Sequence, residues 1–323
     1  MIVDLHLDAL LDVVEREDRG DSDVFARRHL PDLQAAGVRV QVLPVFIPEE
    51  FIPEAALRYA IRQLDAARRE EDRLGGALRI VETASELRAA LDAGAIAGIL
   101  ALEGAEPLGR DPGVLRTFHR LGVRMMGLTW NHANAFADGV GEPDGPGITA
   151  RGMQLLAAME DHGVALDLSH LSPRGCDVAL ERFGGAVLAS HANARTVYDS
   201  PRNLGDETLQ AVGERGGVVG LCAIPAFVGA GPFAQRLAAH HEHVTSLAGA
   251  QAPAFGADFC DFFGDIEGPI LPDQPTDTDL ELSGTPEPPR DGFYQQVLEA
   301  VGERPGGRLA SANALRFLEA ALG

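Results

Sequence analysis

Short apolar runs rich in valine, isoleucine and leucine alternate along the chain with longer segments in which apolar residues recur every three or four positions. Runs of the first kind are typical of strands buried on both faces, and segments of the second kind are typical of helices with one apolar face. The pattern therefore predicts eight strands separated by helices. The strands cover residues 2–8, 39–46, 97–103, 123–129, 164–170, 186–191, 217–222 and 252–258.

The predicted helices lie between these strands. The clearest cover residues 53–75, which are rich in alanine, leucine, arginine and glutamate, and residues 206–217, which begin with aspartate and end with glycine, as helices commonly do. Residues 78–82 are predicted as an extra short strand outside the main series. Two last helices are predicted within residues 292–322.

Eight strands that alternate with helices pair in parallel, either in an open doubly wound sheet or in a closed (β/α)8 barrel of the TIM type. No Gly-x-Gly-x-x-Gly motif follows the first strand, so the barrel is favoured. Barrels of this kind reach the length of this chain as one unit. We therefore expect a single α/β barrel domain over residues 1–323, with the acidic, proline-rich residues at about 261–290 as a loop over one barrel face.

The amino-acid composition excludes several classes of binding partner and catalytic group. The net charge of −21 disfavours nucleic acid and membranes as partners, because both repel an acidic surface. All 27 basic residues are arginine, which excludes a Schiff-base lysine, a phosphate-loop lysine and a carbamylated lysine between two metal ions. The three cysteines are scattered, and neither a signal peptide nor a membrane-spanning run is predicted. We expect a cytoplasmic protein.

Polar side chains interrupt the apolar runs, each at the carboxyl end of a predicted strand. These ends meet at one mouth of a barrel, where active sites are built. Histidine, aspartate and glutamate supply nitrogen and oxygen ligands that suit zinc or a similar divalent ion. Each residue alone has an ordinary alternative, as a core histidine satisfied by backbone or as a buried acid paired with arginine. The six residues are His6, Asp8, Glu103, His170, His191 and Asp258.

Six such residues are more than one catalytic zinc needs, because that ion takes three protein ligands and keeps one position open. We expect two metal ions that share a carboxylate, and Glu103 is the candidate bridge in a chain without lysine. Asp258 remains as the proton carrier for a water held between the ions, which predicts a hydrolase. The assignment is His6, Asp8 and Glu103 for one ion, and Glu103, His170 and His191 for the other.

The motifs resemble those of the membrane (renal) dipeptidase family of zinc peptidases, in the same order over nearly the whole chain. The most specific stretch is SHANARTVYDSPRNLGDETLQAVGERGGVVGL, which begins at residue 190 and holds a ligand histidine and an Arg-Asn pair. The others are VDLHLDAL from residue 3, GILALEGAEPL from residue 98, LGVRMMGLTWNHANAFADG from residue 121, DLSHLS from residue 167 and HHEHVTSLAGAQAPAFGADF from residue 240.

The resemblance implies a barrel of the metal-dependent hydrolase type that cleaves dipeptides, often with a D-residue at the C-terminal position, and that forms a homodimer. Arg202 would bind the terminal carboxylate of the substrate as a fork. Asp258 would take a proton from the bridging water and pass it to the leaving amine. The implied zinc ligands are those assigned above, His6, Asp8, Glu103, His170 and His191.

Three positions depart from the family's pattern. Trp130 stands where several members carry a histidine that polarises the substrate carbonyl, and His132 is a candidate replacement two residues further on. Ile224 stands where a ring is common in relatives, and Cys260 changes the wall beside Asp258. These differences bear on the substrate range and leave the metal ligands unchanged.

Two other functions stay open on the sequence. A related binuclear amidohydrolase would act on N-acyl amino acids, lactams or lactones, and a non-catalytic metal-binding barrel would serve as a binding module. A requirement for a free substrate amine separates a dipeptidase from the amidohydrolase. The histidines at 240, 241 and 243 match a helix remote from the mouth, so we expect no third metal there. Asp4 is either a carboxylate that supports the ligands or an ordinary strand-end acid.

Overall fold

A computed structural model describes residues 1–262, Arg290 and residues 292–323. The acidic, proline-rich loop that the sequence predicts at about 261–290 lies almost wholly outside the described residues, so it stays a prediction.

In the described residues, nine parallel strands make up one sheet, and each overlaps a segment predicted as a strand. They are β1 (Ile2–Asp4), β2 (Val38–Val45), β3 (Leu78–Ile80), β4 (Ile96–Leu102), β5 (Val123–Gly127), β6 (Ala165–Asp167), β7 (Val187–Ala189), β8 (Val218–Leu221) and β9 (Pro253–Phe255).

Eight of these strands close into a barrel. β1 pairs with β9 on one side and with β2 on the other, and β2 in turn pairs with β4, which completes the circle through β5 to β8. β3 stays outside the barrel and pairs with the first half of β4, whose second half pairs with β5. The predicted TIM-type barrel, with an extra strand at residues 78–82, is confirmed.

Helices connect the strands, as parallel pairing requires. In the described residues they are α1 (Ala9–Asp18), α2 (Leu30–Ala35), α3 (Ala56–Arg73), α4 (Ala84–Asp92), α5 (Leu115–Arg120), α6 (Ala150–His162), α7 (Pro173–Arg182), α8 (Asp206–Glu214), α9 (Pro225–Val228), α10 (Phe233–Ala248), α11 (Phe293–Val301) and α12 (Asn313–Ala321). Within this part of the chain, no helix combines the length and the apolar character needed to cross a membrane.

Side-chain caps fix where several helices begin. Thr83 and Glu86 form a capping box at the start of α4, in which each side chain bonds the backbone N–H of the other residue. The Thr149 hydroxyl accepts a hydrogen bond from the N–H of Gly152 at the start of α6. That helix ends at Gly163, whose φ of 65° lies in the left-handed region that favours glycine.

The barrel interior is filled by apolar side chains, so it is a core and not a pore. One buried cluster takes at least one residue from every barrel strand, from Val3 of β1 to Ala254 of β9. Phe317 and Leu318 of α12 belong to the same cluster. Because this filling occupies the barrel, polar side chains gather beyond the carboxyl ends of the strands.

The strands end earlier than the sequence predicts. β1 stops at Asp4, so His6 lies in the segment after the strand, and Asp8 is the residue from which α1 begins. Loop backbone, and not strand alternation, therefore directs these two side chains, which still lie close together, with Nε2 of His6 3.5 Å from Oδ2 of Asp8. His170 and Asp258 likewise lie three residues beyond β6 and β9. The segments that follow the strands thus set the directions of these side chains.

Candidate metal centre and active site

The Glu103 side chain lies at the centre of the candidate site. It directly follows β4, and its Oε1 atom lies 2.8 Å from Nε2 of His170 and 3.5 Å from Nε2 of both His6 and His191. None of these side chains is more than 7% exposed. One carboxylate oxygen that faces three imidazoles from three strand ends is placed as a bridging ligand would be.

Two aspartates complete the group. Asp8 Oδ2 lies 3.5 Å from Nε2 of His6. Asp258 Oδ1 lies 3.8 Å from Nε2 of His6, and Asp258 Oδ2 lies 3.9 Å from Nε2 of His191. The structure thus brings together all six residues that the sequence analysis placed at the barrel mouth. Of these, His6, Glu103 and His191 form one set of atoms close enough to hold a metal ion, and His6, Asp8 and Asp258 form another.

Within the part of the chain that the structure describes, two buried atoms at the centre lack hydrogen-bond partners. They are Nε2 of His6 and Oδ1 of Asp8. An unsatisfied buried polar atom costs free energy unless a ligand or an ion satisfies it. Imidazole nitrogens and carboxylate oxygens are also the donor set that zinc and similar ions prefer. The residues present therefore fit a divalent metal ion.

The local electrostatics also fit a bound cation. Burial raises the pKa of Glu103 to about 8, and the negative charge of Asp8 adds to this shift. Burial lowers the pKa of His170 and of His191 well below the usual value, so both imidazoles are neutral at pH 7. A cation placed between these groups would favour the ionised carboxylates and use the free nitrogen lone pairs.

Neighbouring side chains orient two of the ligand histidines. Nδ1 of His170 lies 2.7 Å from Oδ1 of Asn131, which accepts a hydrogen bond from the ring N–H at Nδ1, so that the unprotonated Nε2 is directed at Glu103. Nδ1 of His191 lies 2.8 Å from the hydroxyl of Ser190. Asn131 could not be identified from the sequence, because 39 residues separate it from His170 and no spacing rule links them.

Asp167 joins the ends of two barrel strands. Its Oδ1 atom accepts hydrogen bonds from the backbone N–H of Ser169 at 3.0 Å and of Ser190 at 2.9 Å. These serines immediately precede His170 and His191 in the chain. The carboxylate therefore fixes the backbone from which both histidines project, which is a supporting role and not a ligand role.

Backbone conformation at the site is unusual. His170 and Asp258 have φ angles of 67° and 56°, in the left-handed region that few residues other than glycine adopt. Surrounding contacts must hold such residues in place. Gly256 marks a second constraint, because a Cβ atom there would overlap the carbonyl oxygen of Ser190.

We expect Gly256→Ala to destabilise the protein by about 3 kcal/mol, because the added methyl group must displace the Ser190 backbone. That displacement moves His191, so metal binding should weaken as well. The measurement is the free energy of unfolding in denaturant. The matched control is Gly184→Ala, where the nearest atom to the new Cβ is the Glu160 carboxylate at 3.5 Å. Equal stability of the two variants would contradict the prediction.

Arg202 lies beside the metal ligands. It is only 3% exposed, and its Nη2 atom lies 3.1 Å from Nε2 of His170 and 3.4 Å from the carbonyl oxygen of His191. Its guanidinium lies 5.3 Å from the centre of the Phe227 ring, a favourable cation–π distance. The neighbouring Asn203 anchors this loop by donating to the carbonyl oxygens at 198 and 227.

The positions that depart from the family pattern lie around the mouth. The Trp130 ring is 5.6 Å from the His170 ring and 5.1 Å from the Phe46 ring. His132 is 40% exposed, and its Nε2 atom lies 3.2 Å from a carboxylate oxygen of Glu49. Trp130 therefore contacts a ligand histidine, whereas His132 lies at the rim.

Ile224 and the cysteines form a separate wall. Ile224 is 5% exposed and clusters with Cys222 and Phe227. The sulfur atoms of Cys222 and Cys260 lie 3.9 and 3.8 Å from the two carboxylate oxygens of Asp258. This side of the mouth therefore presents apolar and thiol groups around Asp258.

Two of the three histidines of α10, His240 and His243, have structural partners. Nδ1 of His240 accepts a hydrogen bond from the N–H of Ala194 at 3.1 Å, so Nε2 carries the proton and donates to the carbonyl oxygen of Val228 at 3.1 Å. Nε2 of His243 lies 2.8 Å from Oδ1 of Asp206. His240 thus holds the loop that leads from His191 to the substrate side of the site.

We expect His240 to make stability pH-dependent. Burial lowers its pKa to about 4, whereas the unfolded chain titrates near the ordinary value of 6.5. The free energy of unfolding that this low pKa contributes is complete above pH 6.5. It falls by up to about 3 kcal/mol as pH drops from 6.5 towards 4, because the unfolded state binds the proton first. Denaturant unfolding of the wild type and of His240→Asn should therefore give free energies that converge as pH falls. Parallel curves would contradict the assignment.

Comparison with known proteins identifies the family. The sequence profile of the membrane dipeptidases (peptidase family M19) matches residues 1–267. The chain belongs to this family. The resemblance stated from the motifs is thereby confirmed, and the family's metallopeptidase character agrees with the donor set described above.

Two crystal structures resemble this chain over nearly its whole length. One is of the dipeptidase AC, a metallopeptidase of family M19, with a TM-score of 0.84 and 26% identity over 100% of this chain and 98% of the other. The second is of a metallopeptidase from Rhodobacter sphaeroides bound to a phosphinate mimic of the dipeptide L-Ala-D-Ala, with a TM-score of 0.79 and 26% identity over 98% of each chain.

Curated relatives match over a shorter part. Dipeptidase verJ of Clonostachys rogersoniana is 30% identical over 217 residues, which are 65% of this chain and 56% of that protein. An uncharacterized dipeptidase of Schizosaccharomyces pombe is 32% identical over 228 residues, which are 67% of this chain and 54% of that protein. The match thus spans little more than half the length of these two relatives.

Proposed function

We propose that the protein is a metallodipeptidase that hydrolyses the peptide bond of dipeptides, L-D as well as L-L, with two zinc ions. The observation that carries the proposal is the position of Arg202, whose guanidinium lies 3.1 Å from a ligand histidine. The family of the chain supports it, and so does the dipeptide mimic bound to the Rhodobacter sphaeroides relative.

The metal ions would be held by the group centred on Glu103, whose oxygen faces three imidazoles. Bound divalent ions supply a water acidic enough to act as a nucleophile near neutral pH, and they polarise a carbonyl group. The proposed ligands are His6 and Asp8 for one ion, His170 and His191 for the other, and Glu103 for both.

The contact between Arg202 and His170 bears on which bond of a substrate is cleaved. A planar guanidinium binds a carboxylate through two parallel hydrogen bonds. Because Nη2 lies 3.1 Å from Nε2 of His170, a carboxylate bound at Arg202 would lie beside the candidate metal centre. One residue spans at most about 3.6 Å of extended chain, so the peptide bond presented to the centre would be the one next to the C-terminus. Dipeptides meet this condition, as do longer peptides cleaved at their last peptide bond.

Asp258 is the proposed proton carrier. Its two carboxylate oxygens lie 3.8 Å from Nε2 of His6 and 3.9 Å from Nε2 of His191. Burial raises its pKa, which makes it a better base than an exposed aspartate. We assign it to accept the proton of the attacking water and to donate it to the leaving amine. Trp130 and Ile224 would line the substrate, with His132 at the rim.

The test is hydrolysis of a matched panel by the zinc-loaded protein. The panel contains L-L dipeptides, L-D dipeptides, and the same compounds with the amine acetylated. We expect cleavage of the free dipeptides only. Cleavage of the acetylated set alone would move the assignment to an amidohydrolase that acts on N-acyl amino acids. No cleavage by protein with two bound ions would contradict the peptidase assignment and direct the search to lactams and lactones.

Two further proposals concern assembly and location. A homodimer is proposed from the family resemblance and is tested by sedimentation of the purified protein. A cytoplasmic location is proposed from the scattered cysteines. Fractionation of the source cells tests this location.

A further inference from the structure

Asp4 binds four hydrogen-bond donors beneath the metal centre. The residue ends β1 and is 1% exposed. Its Oδ1 atom accepts from the N–H of His6 at 2.9 Å and from Nε2 of Gln41 at 3.2 Å. Its Oδ2 atom accepts from the N–H of Ala257 at 3.0 Å and from the hydroxyl of Tyr294 at 2.9 Å. The carboxylate therefore connects β1, β2, the end of β9 and α11.

Two of these donors belong to the segments that carry site residues. One is the N–H of His6 itself, and the other is the N–H of Ala257, the residue before Asp258. The N–H of Asp258 in turn donates to the carbonyl oxygen of His6 at 3.3 Å. The Asp4 carboxylate and this backbone bond together set how the two segments lie side by side.

The segment at Asp258 needs such support. Its φ of 56° is unfavourable for a residue with a side chain, so local preference alone does not hold it there. Two hydrogen bonds hold Ala257. Its N–H donates to Asp4, and its carbonyl oxygen accepts from the N–H of Ala223 at 2.8 Å. Loss of the contact with Asp4 would free one side of a strained backbone next to the proton carrier.

Tyr294, whose hydroxyl donates to Oδ2 of Asp4, comes from a distant part of the chain. It lies in the first turn of α11, is 5% exposed, and packs edge-on against the ring of Phe255 at 5.0 Å. It stands outside residues 1–267, the part that the family profile matches. The hydrogen bond between the buried Tyr294 hydroxyl and the buried Asp4 carboxylate stabilises the packing of α11 and also fixes its orientation.

We propose that Asp4 and Tyr294 are positioning residues, which act through backbone contacts to hold His6 and Asp258 at their mutual distance. The assignment rests on the proposed function in one respect, since it takes His6 as a metal ligand and Asp258 as the proton carrier. It makes α11 part of the machinery of the site, although no residue of that helix is assigned as a ligand.

Two substitutions disturb this contact to different degrees. Tyr294→Phe removes one hydroxyl, and a cavity of about 10 Å³ beside Asp4 and Tyr294 has room for about one water that replaces part of the bond. Asp4→Asn is more severe. All four neighbours donate, and although the Tyr294 hydroxyl and the Gln41 amide can turn to accept, a backbone N–H cannot. The new amide group therefore leaves the N–H of either His6 or Ala257 without its acceptor.

The measurement is the affinity for zinc, by competition with a chromogenic chelator, together with kcat and KM for a dipeptide. We expect one of the two ions to bind about tenfold more weakly in Tyr294→Phe and about a hundredfold more weakly in Asp4→Asn. In both variants kcat should fall while KM changes little, because Arg202 keeps its contacts.

The matched control is Tyr59→Phe. Tyr59 is also buried, at 2% exposure, and its hydroxyl also bonds a carboxylate, that of Glu15, in a contact between α3 and α1. We expect it to lower the melting temperature about as much as Tyr294→Phe while zinc affinity stays at the wild-type value.

Each outcome separates the two proposals. If Tyr294→Phe and Asp4→Asn bind both ions as the wild type does, and lose only thermal stability, the positioning role is wrong while the metallodipeptidase proposal stands. If the loaded wild type cleaves no dipeptide but the two variants bind zinc more weakly, the positioning role stands and the activity is wrong. A wild type that binds no zinc would overturn both.

Discussion

Asp258→Asn is expected to lower kcat by about a thousandfold while both metal ions stay bound. The asparagine side chain has nearly the same shape, but its amide cannot accept the proton of the attacking water. The Asp258 side chain is 13% exposed, and its carboxylate oxygens lie 3.8 Å from Nε2 of His6 and 3.9 Å from Nε2 of His191. The measurement is steady-state hydrolysis of a dipeptide, with the metal content of the same sample determined by elemental analysis.

The metal content decides how this result is interpreted. Asp258, His6 and Asp8 also form a set that is close enough to hold an ion. If Asp258→Asn loses an ion together with its activity, Asp258 is a ligand and not the proton carrier. If kcat stays within about tenfold of the wild type with both ions bound, the proton-transfer role is contradicted. Asp199→Asn, at a side chain that is 93% exposed, is the control and should behave as the wild type.

Arg202→Met is expected to lower kcat/KM for dipeptides by about a thousandfold. Methionine fills much of the same volume, but it provides neither the charge nor the paired donors that a carboxylate needs. The guanidinium is 3% exposed, so the carboxylate it binds is removed from water and depends on this contact. The measurement is kcat/KM on a dipeptide and on the same dipeptide with its C-terminus converted to the amide.

The amide substrate provides the internal control for Arg202. The wild type should discriminate strongly between the acid and the amide, whereas Arg202→Met should cleave both at similar low rates. If the variant keeps both its activity and its preference for the free acid, another residue binds the carboxylate. If both substrates lose activity equally and the preference is retained, Arg202 acts through the fold of its loop.

The strands of the barrel were predictable because each one is buried on both faces. Such strands appear in the sequence as short, nearly continuous apolar runs, and the runs near Ile2, Ile99 and Val187 are examples. Their ends were less predictable. The predicted first strand continued to Asp8, whereas β1 ends at Asp4. Apolar residues such as Leu5 and Leu7 are buried beyond the strand, so hydrophobicity alone does not mark where backbone pairing stops.

The candidate ligands were predictable because of the fold. In a parallel barrel, every strand end points to the same mouth, so six polar residues that are far apart in sequence could be placed together before any distance was known. That argument depends on chain direction alone. It carries no information on which atoms touch, and the central place of Glu103 among three imidazoles is a property of the structure.

Contacts that support the ligands could not be predicted. Asn131 and His170 are 39 residues apart, and Asp4 and Tyr294 are 290 residues apart. No period or spacing connects such pairs, because each contact depends on how helices and loops pack around the finished barrel. Which of Trp130 and His132 lies against the candidate ligand His170 could not be predicted either, because the positions of both rings follow from the loop after β5.

The amino-acid sequence by itself determined the class of fold, the end of the barrel that carries the chemistry, and the side chains that can bind metal. These properties follow from local patterns of burial and from the direction of the chain, which neighbouring residues encode. The tertiary structure alone decided that Arg202 lies within hydrogen-bond distance of His170, a candidate metal ligand, and that α11 reaches Asp4. Both depend on distances between segments far apart in sequence, and only close packing of the whole chain fixes such distances.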